Sequence, residues 1–179
     1  MEVMRIYDRE FTLFIPNEEI RRVISDMAAR INRDLEGRDV IFMGILNGAF
    51  MFAAELIKQI RPNCQITFLK LASYAGTSST GTVKRLIGIN EDIHDKTVVI
   101  LEDIVDTGIT LENIIKQLKG YEPGEIRVAT LLHIPASYLK NIALDYVGIE
   151  IPNDFVVGFG LDYEGFGRNL ADIYKVVTP

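Results

Sequence analysis

Residues 98–119 read VVILEDIVDTGITLENIIKQLK, an apolar run that ends in acid, turns through a glycine and continues at helical spacing. Val98, Val99, Ile100 and Leu101 are β-branched or aliphatic without interruption, the pattern of a strand covered on both faces of a parallel sheet. Leu111, Ile114, Ile115 and Leu118 then predict an amphipathic helix, with Gly120 as its stop. Glu102, Asp103 and Asp106 fall between the two, at the carboxyl end of the strand. In open α/β sheets that is where ligands bind.

The chemistry of this turn favours a phosphate. Gly108 permits positive φ or a close backbone approach, so the amides of Thr107, Gly108, Ile109 and Thr110 and two threonine hydroxyls can converge on an anion at the helix start. No lysine is required. The adjacent carboxylates Glu102 and Asp103 would repel a bare phosphate, and make better sense as acceptors for sugar hydroxyls or partners of a metal-neutralised group. A phosphorylated sugar satisfies both halves. The plain alternative is a solvated strand end, because acids are common at turns.

Composition narrows the classes. A chain of 179 residues with 48% hydrophobic content suits one domain with a full core. A formal net charge of -6 and a pI near 5.0 argue against a nucleic-acid-binding surface. Cys64 is the single cysteine, which excludes an intrachain disulfide, and with only two histidines no zinc site is formed. A reducing cytoplasm is the expected location. Residues 1–11 mix charges early and lack the apolar core of an export signal. Residues 40–57 are long and mostly apolar, but Gly44, the Asn47-Gly48 pair and Glu55 interrupt a membrane span.

In order, the sequence predicts a strand over 11–15, a helix capped by Asn17 and running to Gly37, a strand over 40–46, and a helix ending before Pro62. Further strands are expected over 65–71, 126–132, 143–147 and 155–157, with a polar, glycine-bearing segment at 75–82. Strands alternating with helices imply a mainly parallel sheet of the α/β class.

Three decoys weaken on inspection. The segment GTSSTGTV from Gly76 has the glycine spacing of a P-loop, but Thr82 and Val83 stand where Lys-Ser/Thr is required. Asp106-Thr107-Gly108 matches half of an aspartic-protease signature and occurs once, whereas that chemistry needs two such aspartates. A phosphate-accepting receiver would need an early acidic pair and a later strand-end lysine, and neither completes the pattern.

The run VVILEDIVDTGITL closely resembles the phosphoribosyl-diphosphate-binding motif of type I phosphoribosyltransferases, and later motifs narrow the resemblance to the hypoxanthine-guanine branch over nearly the whole chain. The resemblance implies an α/β type I phosphoribosyltransferase fold, a mainly parallel twisted sheet flanked by helices. A core at about 37–150 would carry a small hood from about 1–16 and 151–179. It implies purine salvage, with transfer of phosphoribosyl from 5-phospho-α-D-ribosyl 1-diphosphate to hypoxanthine or guanine and release of pyrophosphate.

By the same resemblance, Thr107, Gly108, Ile109 and Thr110 hold the 5-phosphate, Glu102 and Asp103 the ribose hydroxyls, and Asp106 is the general base. Asn47 and Gly48 resemble the pyrophosphate loop, although the family often has a basic residue at Asn47. Ser73-Tyr74 resembles the lid that keeps water from the reacting sugar. Phe155 would stack on the purine and Val156 would bond its edge. Arg168 would neutralise pyrophosphate, and Asp162, with Glu102 and Asp103, would hold Mg²⁺. Where the family places a base-contacting lysine after a strand, this chain reads Leu132-His133-Ile134-Pro135. Ile134 at that place donates no hydrogen bond, which leaves His133 as candidate donor or as a structural strand-end histidine. A shifted base preference, for xanthine or another purine, is therefore an alternative. A further alternative, from another class, is a non-catalytic nucleotide sensor of the same fold. The resemblance also implies a homodimer or homotetramer.

Overall fold

The computed structural model describes the backbone of residues 3–61, 63–75 and 82–177, with side chains described outside 72–86. The chain runs β1 (Val3–Ile6), β2 (Arg9–Ile15), α1 (Asn17–Asp34), β3 (Val40–Leu46), α2 (Phe50–Ile57), β4 (Cys64–Ala75) and β5 (Thr82–Ile87). It continues through β6 (Thr97–Val105), α3 (Ile109–Lys119), β7 (Glu125–His133), a 3-10 turn (Pro135–Ser137), β8 (Tyr146–Glu150), β9 (Val156–Val157) and β10 (Ile173–Val176). Two sheets result, one of six strands in the order β5-β4-β3-β6-β7-β8 and one of four in the order β1-β2-β10-β9.

β6 is central because its side chains satisfy both faces of the larger sheet. Val99 and Leu101 enter the cluster that also buries Ile24 and Ile31 of α1 and Phe52 of α2. Val98 and Ile100 enter the opposite cluster with Leu111, Ile114 and Leu118 of α3. A strand with water on one face would alternate, and this one does not. Strands β4, β3, β6, β7 and β8 are mutually parallel, and β5 alone runs antiparallel at the edge. This is the α/β architecture expected, with helices on both faces.

α1 buries Ile20, Ile24, Met27, Ala28 and Ile31 along one stripe. Its start differs from the expectation. Pro16 occupies the cap position, Asn17 is the first helical residue, and the Asn17 amide donates to Asp172 Oδ1 at 2.7 Å. The orphan donor at the helix start is thus met by a side chain from the other end of the chain. The Asn17 side-chain amide also donates, to the Ala171 carbonyl at 2.8 Å.

The smaller sheet is antiparallel throughout and joins the chain's two ends, with β10 lying between β2 and β9. Ile6, Phe11 and Val157 form its own small buried cluster. Neither β1, β5 nor β10 was expected from the sequence, and β8 begins three residues later than the strand foreseen at 143–147. Among the described residues, no helix is long and apolar enough to cross a membrane.

Ile100 is fully buried at the centre of β6. Shortening it to alanine removes buried methylenes and leaves a cavity beneath α3, so Ile100→Ala is expected to cost about 2–5 kcal/mol. Urea unfolding of the two proteins reads this directly, and a loss under about 1 kcal/mol would mean that the site collapses freely.

Candidate functional site

The strand-to-helix turn behaves as its sequence implied. β6 ends at Val105, and Gly108 sits at the α3 cap with φ 80° and ψ 0°, a left-handed conformation that glycine adopts without strain. The cap residue has no side chain to offer; the Ile109 amide donates to Thr107 Oγ1 at 3.4 Å, and the other amides of the first turn have no intrahelical acceptor. A cavity of about 310 Å³ lies there, lined by Glu102, Asp103, Asp106, Thr107, Gly108 and Thr110 among others. Ile109 is exposed beside it.

The two carboxylates that precede the turn differ from ordinary surface acids. Glu102 is buried, and loss of water together with the neighbouring charge of Asp103 pushes its pKa well above the usual carboxylate range. Burial likewise pushes Asp103 up to about 6, against the opposing pull of the Ile104 amide, which donates to its Oδ1 at 2.8 Å, and of the Arg168 charge. Asp162 adds repulsion. Asp106 is exposed on the turn itself. Three acids therefore converge with two of them starved of solvent, an arrangement that a bound cation or hydroxyl groups would relieve.

Two further loops close on this strand end. A side chain at Gly48 would run into the Asp103 carboxylate, and one at Gly160 would run into the Gly48 carbonyl. Glycine at these two positions lets the Asp103 carboxylate sit against the Gly48 backbone and the Gly160 backbone against the Gly48 carbonyl. The Leu46–Asn47 peptide bond at the head of the first loop is cis. Arg168 donates to the Gly160 carbonyl at 2.7 Å and pairs with Asp162 at 2.6 Å, and the Gly165 amide donates to the other Asp162 oxygen at 2.7 Å. The structure thus brings Asn47-Gly48, Asp103, Asp162 and Arg168 to one place. Gly160 was not singled out from the sequence, because a glycine's value depends on which backbone lies opposite.

Phe155 is 43% exposed at the start of β9, with Tyr163 edge-on at 5.7 Å, Phe11 at 6.4 Å and the Arg9 guanidinium over its ring at 5.8 Å. Val156 is buried and pairs with Lys175 of β10. Ile134 is also buried, in the same cluster as Val156, while its amide donates to the Val105 carbonyl at 3.0 Å. The His133 ring packs edge-on against Tyr138 at 5.2 Å, and Tyr138 belongs with the cluster on the α3 face. Its Nδ1 lies 3.8 Å from Glu150, and neither ring nitrogen has a hydrogen bond. Consecutive residues His133 and Ile134 therefore point to opposite faces.

The backbone of Ser73 and Tyr74 pairs with Lys84 and Val83. Their side chains, and the segment 76–81 that prompted the lid and P-loop readings, lie outside the described residues. Two residues the sequence did not flag, Tyr138 and Lys140, pack directly against Gly108: a side chain there would stand 2.7 Å from the tyrosine ring and 3.0 Å from the lysine stem. No local pattern marks them, since a loop after β7 carries them to the turn.

Among the described residues, no three His, Cys, Asp or Glu side chains are preassembled to hold a metal. The donors present are nonetheless hard oxygens suited to Mg²⁺, and Asp103 and Asp162 are near enough to repel each other. A cation there would take its remaining ligands from substrate oxygens and water.

Comparison with known proteins places these features in a family. Residues 15–164 match the family model described as phosphoribosyl transferase domain. The chain is 40% identical over 162 residues to a hypoxanthine-guanine phosphoribosyltransferase of Staphylococcus epidermidis, covering 90% of each protein. It superposes on the crystal structure of a Bacillus anthracis hypoxanthine-guanine phosphoribosyltransferase with TM-score 0.83 and 32% identity, over 93% of this chain and 97% of that one. A Staphylococcus aureus hypoxanthine phosphoribosyltransferase gives TM-score 0.82 at 35% identity, over 93% and 91%.

The buried Asp103 has a consequence for stability. Its folded pKa of about 6 lies above the unfolded value, so the folded state holds its proton longer and stability falls as pH rises from about 4 through about 6. Asp103→Asn lacks that loss, and its advantage over the unsubstituted protein is expected to grow by at most about 3 kcal/mol across that window. Urea midpoints in the presence of a chelator check it, and a difference that stays flat with pH would show that Asp103 titrates normally.

Proposed function

The chain belongs to the phosphoribosyltransferase family, and from that premise we propose that it transfers the 5-phosphoribosyl group of 5-phospho-α-D-ribosyl 1-diphosphate to hypoxanthine or guanine, releasing pyrophosphate. It is a pentosyl-transferring enzyme of purine salvage. The observation that carries the reading is the conjunction, at one strand end, of a helix start behind Gly108 and an acidic pair whose pKa values are both raised by loss of water. One half suits a phosphate and the other suits a ribose. We read the chain as a single domain, with the larger sheet as core and the four-stranded sheet as hood.

In this reading, the amides and hydroxyls of Thr107 to Thr110 hold the 5-phosphate, and Glu102 and Asp103 accept from the ribose hydroxyls. Asn47, Gly48 and Arg168 hold the diphosphate, Arg168 being already oriented by the Gly160 carbonyl. Phe155 offers its exposed ring to the purine, and Val156 offers its backbone to the purine edge. Asp106, exposed where base and sugar would meet, holds the proton leaving the purine nitrogen. Ser73 and Tyr74 head the lid that excludes water from the reacting carbon. Mg²⁺, held by Asp103 and Asp162 with Glu102 close by, supplies charge neutralisation of the leaving diphosphate when bound.

Base selection departs from the family pattern. Ile134 brings no donor to the 6-position, and His133 points to the opposite face of its strand. We assign the 6-substituent to backbone groups around Val156, with Ile134 as an apolar wall. The oligomer is proposed to be a dimer or tetramer, in the cytoplasm.

The test is a purine panel. Purified protein with Mg²⁺ and the sugar diphosphate is expected to consume hypoxanthine or guanine, and turnover of neither would refute the reading. Asp106→Asn is expected to lower kcat by about 10²-fold or more while KM for the sugar diphosphate stays within about threefold. Parallel loss of both would make Asp106 a binding residue instead.

A further inference from the structure

The acids that make the site also leave it short of positive charge. Glu102, Asp103 and Asp106 all line the cavity at the α3 start, and no lysine or arginine is among its described lining residues. A 5-phosphate carries up to two negative charges into that surrounding, and backbone amides offer only partial charges against it. Arg168 is committed to the Gly160 carbonyl and Asp162 and is not among the residues that line this cavity. Ile109, within the turn itself, contributes no charge.

The loop that follows β7 brings a cation to the right place. The Leu139 amide donates to the Thr107 carbonyl at 3.1 Å, which clamps this loop to the turn. Tyr138 packs its ring on Gly108 and donates its hydroxyl to the Ile142 carbonyl at 2.7 Å, which fixes the span between them. Lys140 then lays its Cβ and Cγ against Gly108, within 3.1 Å of where a side chain there would begin. Its ammonium ends 2.8 Å from Glu112, in the first turn of the same helix. The stem is held while the head can move, since lysine carries its charge on a flexible chain and its partner here, Glu112, is an exposed carboxylate.

We propose that Lys140 is a further ligand of the substrate's 5-phosphate, with Glu112 as the resting partner of its ammonium when no phosphate is bound. This rests on the reading of the Gly108 turn as the 5-phosphate cradle. A dianion seated on the α3 amides outcompetes a single exposed carboxylate for the ammonium, so binding swings Nζ from Glu112 toward the phosphate. Lys140 also covers Gly108 from the solvent side, which raises the strength of the contact once made.

Calorimetry with ribose 5-phosphate and, separately, with inorganic pyrophosphate distinguishes this role from general support of the fold. Lys140→Met and Lys140→Gln are expected to weaken ribose 5-phosphate by roughly tenfold or more while leaving pyrophosphate within about twofold, with Lys140→Arg retaining most of the affinity. KM for the sugar diphosphate should rise in step, with kcat little changed. Unchanged ribose 5-phosphate affinity in the Met and Gln variants overturns the proposal, as does equal weakening of both ligands. Were the unsubstituted protein to bind ribose 5-phosphate but turn over no purine, the assigned reaction would fall while the Lys140 comparison still stood or failed on its own.

Discussion

The structure is organised by the cost of keeping two carboxylates away from water. Glu102 and Asp103 follow directly on the buried apolar run of β6, and loss of water drives both toward their protonated forms. Such a pair is retained against that cost only where something compensates it. Here the partial compensation comes from the Ile104 amide and the Arg168 charge, and the remainder is left for a ligand. Loops from three separate parts of the chain converge on this point, and each approaches through a glycine or a fixed ion pair.

That convergence explains why glycines matter at Gly48 and Gly160 more than at other positions. Gly48 admits the Asp103 carboxylate against its backbone and Gly160 admits the Gly48 carbonyl, so the loop after β3, the acidic end of β6 and the loop after β9 form one continuous surface. Arg168 then ties the hood loop to itself through Gly160 while reaching Asp162. The geometry of this strand end is thus built from close approach at two glycines and from the charges of Asp103, Asp162 and Arg168.

Much of this was legible in the sequence where the signal is local. The unbroken apolar run of β6, the helical spacing after Gly108 and the acids between them needed no knowledge of distant residues. The elements that went unseen depend on contacts across the chain. β1 and β10 are short and half exposed, and acquire their strand character only by pairing with β2. Asn17 has the chemistry of a cap but lies one residue inside the helix, because Asp172 supplies the acceptor instead. Lys140 and Tyr138 carry no motif at all, and their place over Gly108 follows from how the loop after β7 folds back. The roles of Phe155 and Arg168 came from family resemblance, since singly each would pass as core or surface.

The order of strands in the smaller sheet has a further implication for how the molecule is made. β10 sits between β2 and β9, with Ile173 opposite Ile15, so a strand late in the sequence completes a sheet begun by β1 and β2. The strands of the larger sheet all precede Ile151, and its α3-face cluster closes without later residues, whereas its α1-face cluster takes in Val156, Phe159, Leu161 and Ile173. During translation the α3 face of the larger sheet can therefore pack while the α1 face still lacks side chains that finish it. A nascent chain cut before β10 would lack Ile173, fully buried in that face, and would leave β2 and β9 without the strand that joins them.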